Sequence, residues 1–173
     1  LPILVAQLIR FEELIEADAP MQDVLPSIYY ANIDKYKGYH IRQLCQEMHD
    51  FYKDRQVSTL QERLFLHDYF PEYVLNPQDA NFEFQRGKGE LVPLDEAEGR
   101  IALEGALPYP PGVLCVQPGE RWSKTACDYF LALQEGINKL PGFAPEIQGV
   151  YITPQPDGTK KAYGYVLKKE FEK

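Results

Sequence analysis

Cysteine is scarce in this chain of 173 residues, and what there is pairs poorly. Cys45, Cys115 and Cys127 are an odd number at wide spacing, with no C-x-x-C among them. That excludes a disulfide framework and a zinc knuckle, and it predicts reduced, mostly buried thiols in a cytoplasmic protein. Histidine is sparse too. His49 follows Cys45 by one helical turn, but no third ligand accompanies them and His40 and His67 lie far off, so no metal centre is expected. Positive charge is short, with 18 Lys and Arg against 26 Asp and Glu and a formal net charge of -8. Without a basic run, nucleic acid and anionic membranes are poor partners, whereas cationic small molecules are modestly favoured. Long apolar runs are missing. Ile3 to Ala6 is far below the ~20 residues of a membrane span, and no basic-then-apolar leader opens the chain. Catalytic signatures are missing as well: no G-x-S-x-G elbow, no G-x-G-x-x-G, no phosphate-cradling loop. The acidic cluster Asp95, Glu96 and Glu98 reads as solvated surface. The first residue is Leu rather than Met, which leads us to expect a piece of a longer polypeptide.

Glycine and proline are absent from most of the front of the chain. Only Gly38 among twelve glycines, and three of fourteen prolines, precede Pro71. The front should therefore be helical and the back built of strands and turns. Leu4, Leu8, Phe11 and Ile15 recur at helical spacing and predict a first helix over 3–17. A weaker helix over 22–30 contains Pro26, which should interrupt it. Ile41, Leu44, Cys45, Met48, Phe51 and Tyr52 form the clearest stripe, on a helix over 39–55, and a short helix follows Val57. From Phe82 the pattern changes: Phe82 and Phe84 alternate with polar residues as in a strand, and Gly87-Lys-Gly89 reads as a turn into Leu91. Val113 to Val116 reads as a buried strand. A long helix over 122–140 follows, with Ser123 as its N-cap and Cys127, Phe130, Leu131 and Ile137 facing inward. A terminal hairpin closes around Pro156-Asp-Gly158. The fold class is α+β in one domain over 1–173.

Between these elements lies Gly105 to Glu120, GALPYPPGVLCVQPGE, with four prolines and three glycines. Each X-Pro step holds the preceding residue extended, and Gly112 permits a sharp change of direction. The Tyr109 ring is thus held on a stiff corner with little conformational entropy left to lose. Two readings stand side by side: a buried structural crossover, or a rigid wall lining a pocket or a subunit interface.

The same residues carry a likeness. Leu91 to Glu120, LVPLDEAEGRIALEGALPYPPGVLCVQPGE, resembles the C-terminal domain of bacterial ornithine/lysine/arginine decarboxylases, large pyridoxal-phosphate enzymes of the aminotransferase-like fold. EGALPYPPGVLCVQPGE, LPGFAPEIQGVY (140–151) and YGYVLK (163–168) are most similar to the ornithine-acting members. The resemblance extends over nearly the whole chain. It implies a parent enzyme of polyamine biosynthesis that converts L-ornithine to putrescine and carbon dioxide. In the family the cofactor is held by a lysine that follows a histidine. Here His40, His49 and His67 are followed by Ile, Asp and Asp, so no catalytic or cofactor-binding residue carries over, and this chain by itself should bind no pyridoxal phosphate. The resemblance further implies packing against the cofactor-binding domain of the same polypeptide, near an active-site mouth in a homo-oligomer (a dimer or an assembly of dimers). The candidate entrance or interface residues are Glu104, Pro108, Tyr109, Pro110, Pro111, Gly112 and Glu120. A surface that normally packs on the cofactor domain should be apolar, and the first helix is the candidate for it. The alternative is a free-standing binding or regulatory module descended from this domain.

Overall fold

The first helical signal folds as its spacing requires, yet none of its side chains is buried. A computed structural model describes residues 2–109 and 112–172. In it α1 (Pro2–Glu16) leaves Ile3, Leu4, Val5, Leu8, Ile9 and Phe11 exposed. It is held at its far end. The Arg42 guanidinium donates to the carbonyls of Ile15 (3.1 Å) and Glu16 (2.5 Å), placing a cation at the negative end of the helix. Pro26 interrupts the next segment as expected, and the break yields α2 (Met21–Val24) and α3 (Pro26–Ala31), with Pro26 in the first turn, where its missing N–H costs nothing. After α4 (Ile33–Tyr36) comes α5 (Ile41–Asp54), which buries Ile41, Leu44 and Phe51. Cys45, assigned to that stripe, is exposed instead: one residue on from Leu44 it is turned about 100° off the packed face. Then α6 (Val57–Arg63) buries Val57. Met21, Tyr29, Tyr36, Ile41, Leu44, Phe51 and Leu140 form the front core, and the Tyr36 hydroxyl donates to the Pro141 carbonyl at 2.8 Å.

Phe82 and Phe84 do not form a strand. They lie on a further helix, α7 (Pro77–Gln85), whose start is written locally: the Asn76 side chain accepts from the Asp79 N–H at 2.9 Å, and Pro77 sits in the first turn. These capping signals prevail over two alternating aromatics. The turn at Gly87 then feeds β1 (Gly89–Pro93). After the short β2 (Leu107–Pro108), α8 (Lys124–Lys139) starts at Ser123, whose hydroxyl accepts from the Ala126 N–H at 3.2 Å. It buries Cys127, Phe130 and Ile137, while Leu131 is half-buried. Next come β3 (Ile147–Gln148), β4 (Tyr151–Pro154) and β5 (Lys160–Leu167). One antiparallel sheet has the order β1-β5-β4, with Leu91 opposite Tyr165 and Tyr151 opposite Tyr163; a second pairs β2 with β3. The hairpin turns where expected, with Gly158 at φ +85°. Trp122, Phe130, Val116, Leu94 and Val166 fill the main core between sheet and α8. No described helix is long and apolar enough to cross a membrane.

The segment before α7 is joined to the chain's middle at Gly119. Its carbonyl accepts from the N–H groups of Val74 and Leu75, both at 3.0 Å, and its N–H donates to Ala102 at 2.7 Å. Its φ is +93°, and a Cβ there would overlap the Leu75 carbonyl. Nearby, Arg100 binds Glu90 (2.7 Å), Glu172 (2.9 Å) and the Leu167 carbonyl (2.6 Å), and Arg121 binds Glu72 (3.0 Å). These arginines fasten the last residues to β1 and the chain's middle. Gly119→Ala should therefore destabilise by at least ~3 kcal/mol, combining left-handed strain with backbone overlap. Gly158→Ala, at φ +85° with nothing near its Cβ, should cost only ~1 kcal/mol. Urea unfolding of the two variants measures the contrast, and equal losses would contradict this account of the join.

Candidate functional site

The proline corner is built into a two-stranded ribbon. Leu107 pairs with Gln148 and Pro108 with Ile147, and the Tyr109 N–H donates to the Glu146 carbonyl at 2.7 Å. Further back the ribbon closes through glycine: Gly149, at φ +72°, lies so close to the Gly105 carbonyl that a Cβ would not fit. On its other side the corner is tied by Ala106, whose N–H donates to Val116 (2.9 Å) and whose carbonyl accepts from Cys115 (2.8 Å). Val113 to Val116 is therefore not a buried strand. Only Cys115 and Val116 go inward, because only they meet Ala106, while Val113 is 65% and Leu114 39% exposed. Pro110 and Pro111 lie outside the described residues.

Pro108 and Tyr109 wall a cleft of about 750 Å³ that also takes in Tyr52, Gln61, Tyr129 and Phe143. Gln61 Nε2 donates to the Tyr129 hydroxyl at 3.0 Å. Pro108 and Gly112 line an adjoining cleft of about 450 Å³. No charged side chain is among the described residues lining the larger cleft, so its chemistry is aromatic and phenolic rather than ionic. Both predicted carboxylates lie away from it. Glu104 accepts a hydrogen bond from the Tyr151 hydroxyl at 2.7 Å, and that bond, with partial burial, pushes the Tyr151 phenol up to about 12. Glu120 serves its own turn, accepting from the Gln117 N–H at 2.8 Å, and burial raises its carboxyl above the ordinary range. Thus Pro108, Tyr109 and Gly112 share one region, Glu104 sits elsewhere beside Tyr151, and Glu120 lies off the ribbon, bridged to Tyr73. Spacing marks Tyr52 only as part of a packing stripe and Tyr129 not at all, because helix periodicity reports which face packs, not which distant loop it meets. Tyr151 lay in a segment read only as hairpin.

Other chemistry is sparse. Burial pushes the thiols of Cys115 and Cys127 up to about 11 and about 12, which makes them poor nucleophiles. No group of three or more metal-binding side chains exists among the described residues. No charged side chain is buried among them either. Lysine condenses with a carbonyl only when neutral, yet the two lysines that shift go upward: Lys35, where Glu47 and Tyr39 outweigh partial burial, and Lys124 beside Asp128. The described residues do not fit a resident pyridoxal phosphate.

Residues 58–168 match the family described as Orn/Lys/Arg decarboxylase, C-terminal domain. The chain is 65% identical over 164 residues to an ornithine decarboxylase of Haemophilus influenzae, covering 95% of this chain and 23% of that protein. It is 59% identical over 165 residues to an inducible ornithine decarboxylase of Escherichia coli, covering 95% of this chain and 22% of the relative. The solved structure of lysine decarboxylase A from Pseudomonas aeruginosa superposes with a TM-score of 0.87 at 32% identity, over 96% of this chain and 22% of that one. The chain thus spans less than a quarter of the length of these relatives.

The half-buried Glu120 sets a pH dependence of unusual sign. Its carboxyl is raised in the folded state, so the ionised form is penalised there, and the penalty fades as pH falls through the raised value toward the ordinary ~4.3. Glu120→Gln keeps an acceptor for Gln117 without the charge. It should raise Tm at pH 7, and the gain should vanish below about pH 4. Thermal melts across that range decide it, and a gain that persists in acid would refute the assignment.

Proposed function

The chain belongs to the Orn/Lys/Arg decarboxylase C-terminal domain family, and from that premise we propose that it is the C-terminal part of an ornithine decarboxylase, which converts L-ornithine to putrescine and carbon dioxide. One observation carries the choice of substrate. Over nearly the whole chain, identity is 57–65% to ornithine decarboxylases but 30–33% to lysine decarboxylases. Pyridoxal phosphate, where bound, supplies the electron sink for decarboxylation. The lysine that holds it belongs to polypeptide outside these 173 residues, since the residues here do not suit it.

This chain's own part is packing and approach. Exposed Ile3, Leu4, Leu8 and Phe11 on α1 form an apolar stripe of the kind that seats on another domain. A second apolar area lies about the corner, with Tyr109 47% and Val113 65% exposed. We assign the first to the cofactor-binding domain and the second to the neighbourhood of the active-site mouth at the interface of a homo-oligomer. The net charge of -8 favours a substrate and product that carry two ammonium groups. Free thiols at Cys45, Cys115 and Cys127 support a cytoplasmic setting.

Two measurements test the proposal. The full-length protein should prefer ornithine to lysine by about tenfold or more in kcat/KM, the scale on which one methylene is discriminated. Borohydride reduction in the presence of pyridoxal phosphate should label one lysine, located outside residues 1–173. Preference for lysine would overturn the substrate assignment. A unique label within these residues, or putrescine formed by this chain alone, would overturn the division of labour. The apolar stripe has its own test: Leu4→Glu with Leu8→Glu should reduce hydrophobic-dye binding by the chain with little change in Tm, as neither side chain is buried.

A further inference from the structure

Glu104 and Tyr151 are 47 residues apart, and the ribbon brings them together. Its antiparallel register sets Leu107 against Gln148 and Pro108 against Ile147, and the tight passage of Gly149 over the Gly105 carbonyl carries it one step further. Glu104 thereby arrives beside Tyr151, whose hydroxyl donates to Oε2 at 2.7 Å. The direction of that hydroxyl is set by a chain of rings. Tyr151 meets Tyr165 edge to face, with centroids 5.4 Å apart at 90°, and Tyr165 meets Phe84 at 5.0 Å and 75°. Stacks of this geometry hold a ring's orientation more firmly than contact area alone does.

What matters is the kind of donor. The described carboxylates with the closest side-chain partners mostly face cations: Glu47 meets Lys35, Glu135 meets Arg55, Glu90 and Glu172 meet Arg100. Glu104 makes no ion pair among the described residues; its bond is to a neutral phenol. A phenol restrains the carboxylate without cancelling its charge, and Oε1 retains its lone pairs for a charge-assisted bond from an incoming cation. We infer that Tyr151 is a positioning residue that holds the Glu104 carboxylate ready for the distal ammonium of a diamine or basic amino acid. The inference rests on the reading of the corner as part of the approach to the active site. Because the phenol titrates only near 12, the donor stays protonated at every pH at which such an enzyme would work.

The test uses the full-length enzyme and two competitive inhibitors that differ in one amine, 1,4-diaminobutane and 1-aminobutane. Tyr151→Phe keeps the ring and its edge contact and removes the hydroxyl. It should raise KM for ornithine and the inhibition constant of the diamine about two- to fivefold, as for one partly exposed charge contact, while kcat and the monoamine constant hold. Glu104→Asp, which keeps the charge but draws it out of reach of the hydroxyl, should reproduce the loss. The double variant Glu104→Gln with Tyr151→Phe should be no worse than Glu104→Gln alone. If Glu104→Gln weakens the diamine selectively and Tyr151→Phe does not, or weakens both amines alike, the positioning role is overturned and the role of Glu104 stands. If Glu104→Gln leaves the diamine constant unchanged, Glu104 does not face the approach and this inference falls.

Discussion

The structure depends on backbone passing closely over backbone at glycine. At Gly119 one carbonyl serves two N–H groups from the segment after α6, and the space where a side chain would begin is occupied by the Leu75 carbonyl. At Gly149 the same constraint recurs against Gly105. Both glycines have positive φ, a conformation that costs an ordinary residue ~1–2 kcal/mol before any clash is counted. The first passage joins the chain's middle to the segment leading into α7. The second closes the ribbon that displays the proline corner. Remove either and the local hydrogen bonds around Ala102, Ala106 and Val116 lose their frame.

From these two passages the arrangement of the candidate site follows. The ribbon carries Pro108 and Tyr109 to one cleft and Glu104 to another place. Tyr109 joins Tyr52, Tyr129 and Phe143 around a neutral cleft, while Glu104 finds Tyr151 beyond the Gly105–Gly149 passage. The region therefore separates an uncharged aromatic surface from an uncompensated carboxylate, instead of pooling charge in one pocket. Such a surface can seat another domain and still attract a cation at its edge. Burial raises the thiols of Cys115 and Cys127, and elsewhere Lys35 and Lys124 are held more firmly protonated.

Legibility varied with the range of the forces involved. Spacing of apolar residues located α1, α5 and α8, and a turn tripeptide located the β4–β5 hairpin, because periodicity and turn chemistry act within a few residues. The same local logic could have found α7, since Asn76-Pro77 is a helix start; the alternation of Phe82 and Phe84 drew attention from it. Cys45 and the run from Val113 show the opposite limit. Both are apolar by composition, and whether such a residue is covered depends on which element crosses above it. For the corner, stiffness was visible in the prolines, but the partners of Glu104 and Tyr109 come from β4, α5 and α8.

By itself the sequence determined the α+β class, the positions of α1, α5, α8 and the β4–β5 hairpin, and through its motifs the decarboxylase family, since each is recorded in neighbouring residues. Only the tertiary structure decided that Cys45 and Val113 lie bare, that Glu120 turns back to its own loop, and that Glu104 is gripped by a phenol. Those outcomes are set by contacts between segments tens of residues apart. Where two such segments meet is fixed by the space that glycine leaves for a crossing backbone, and no local pattern encodes that.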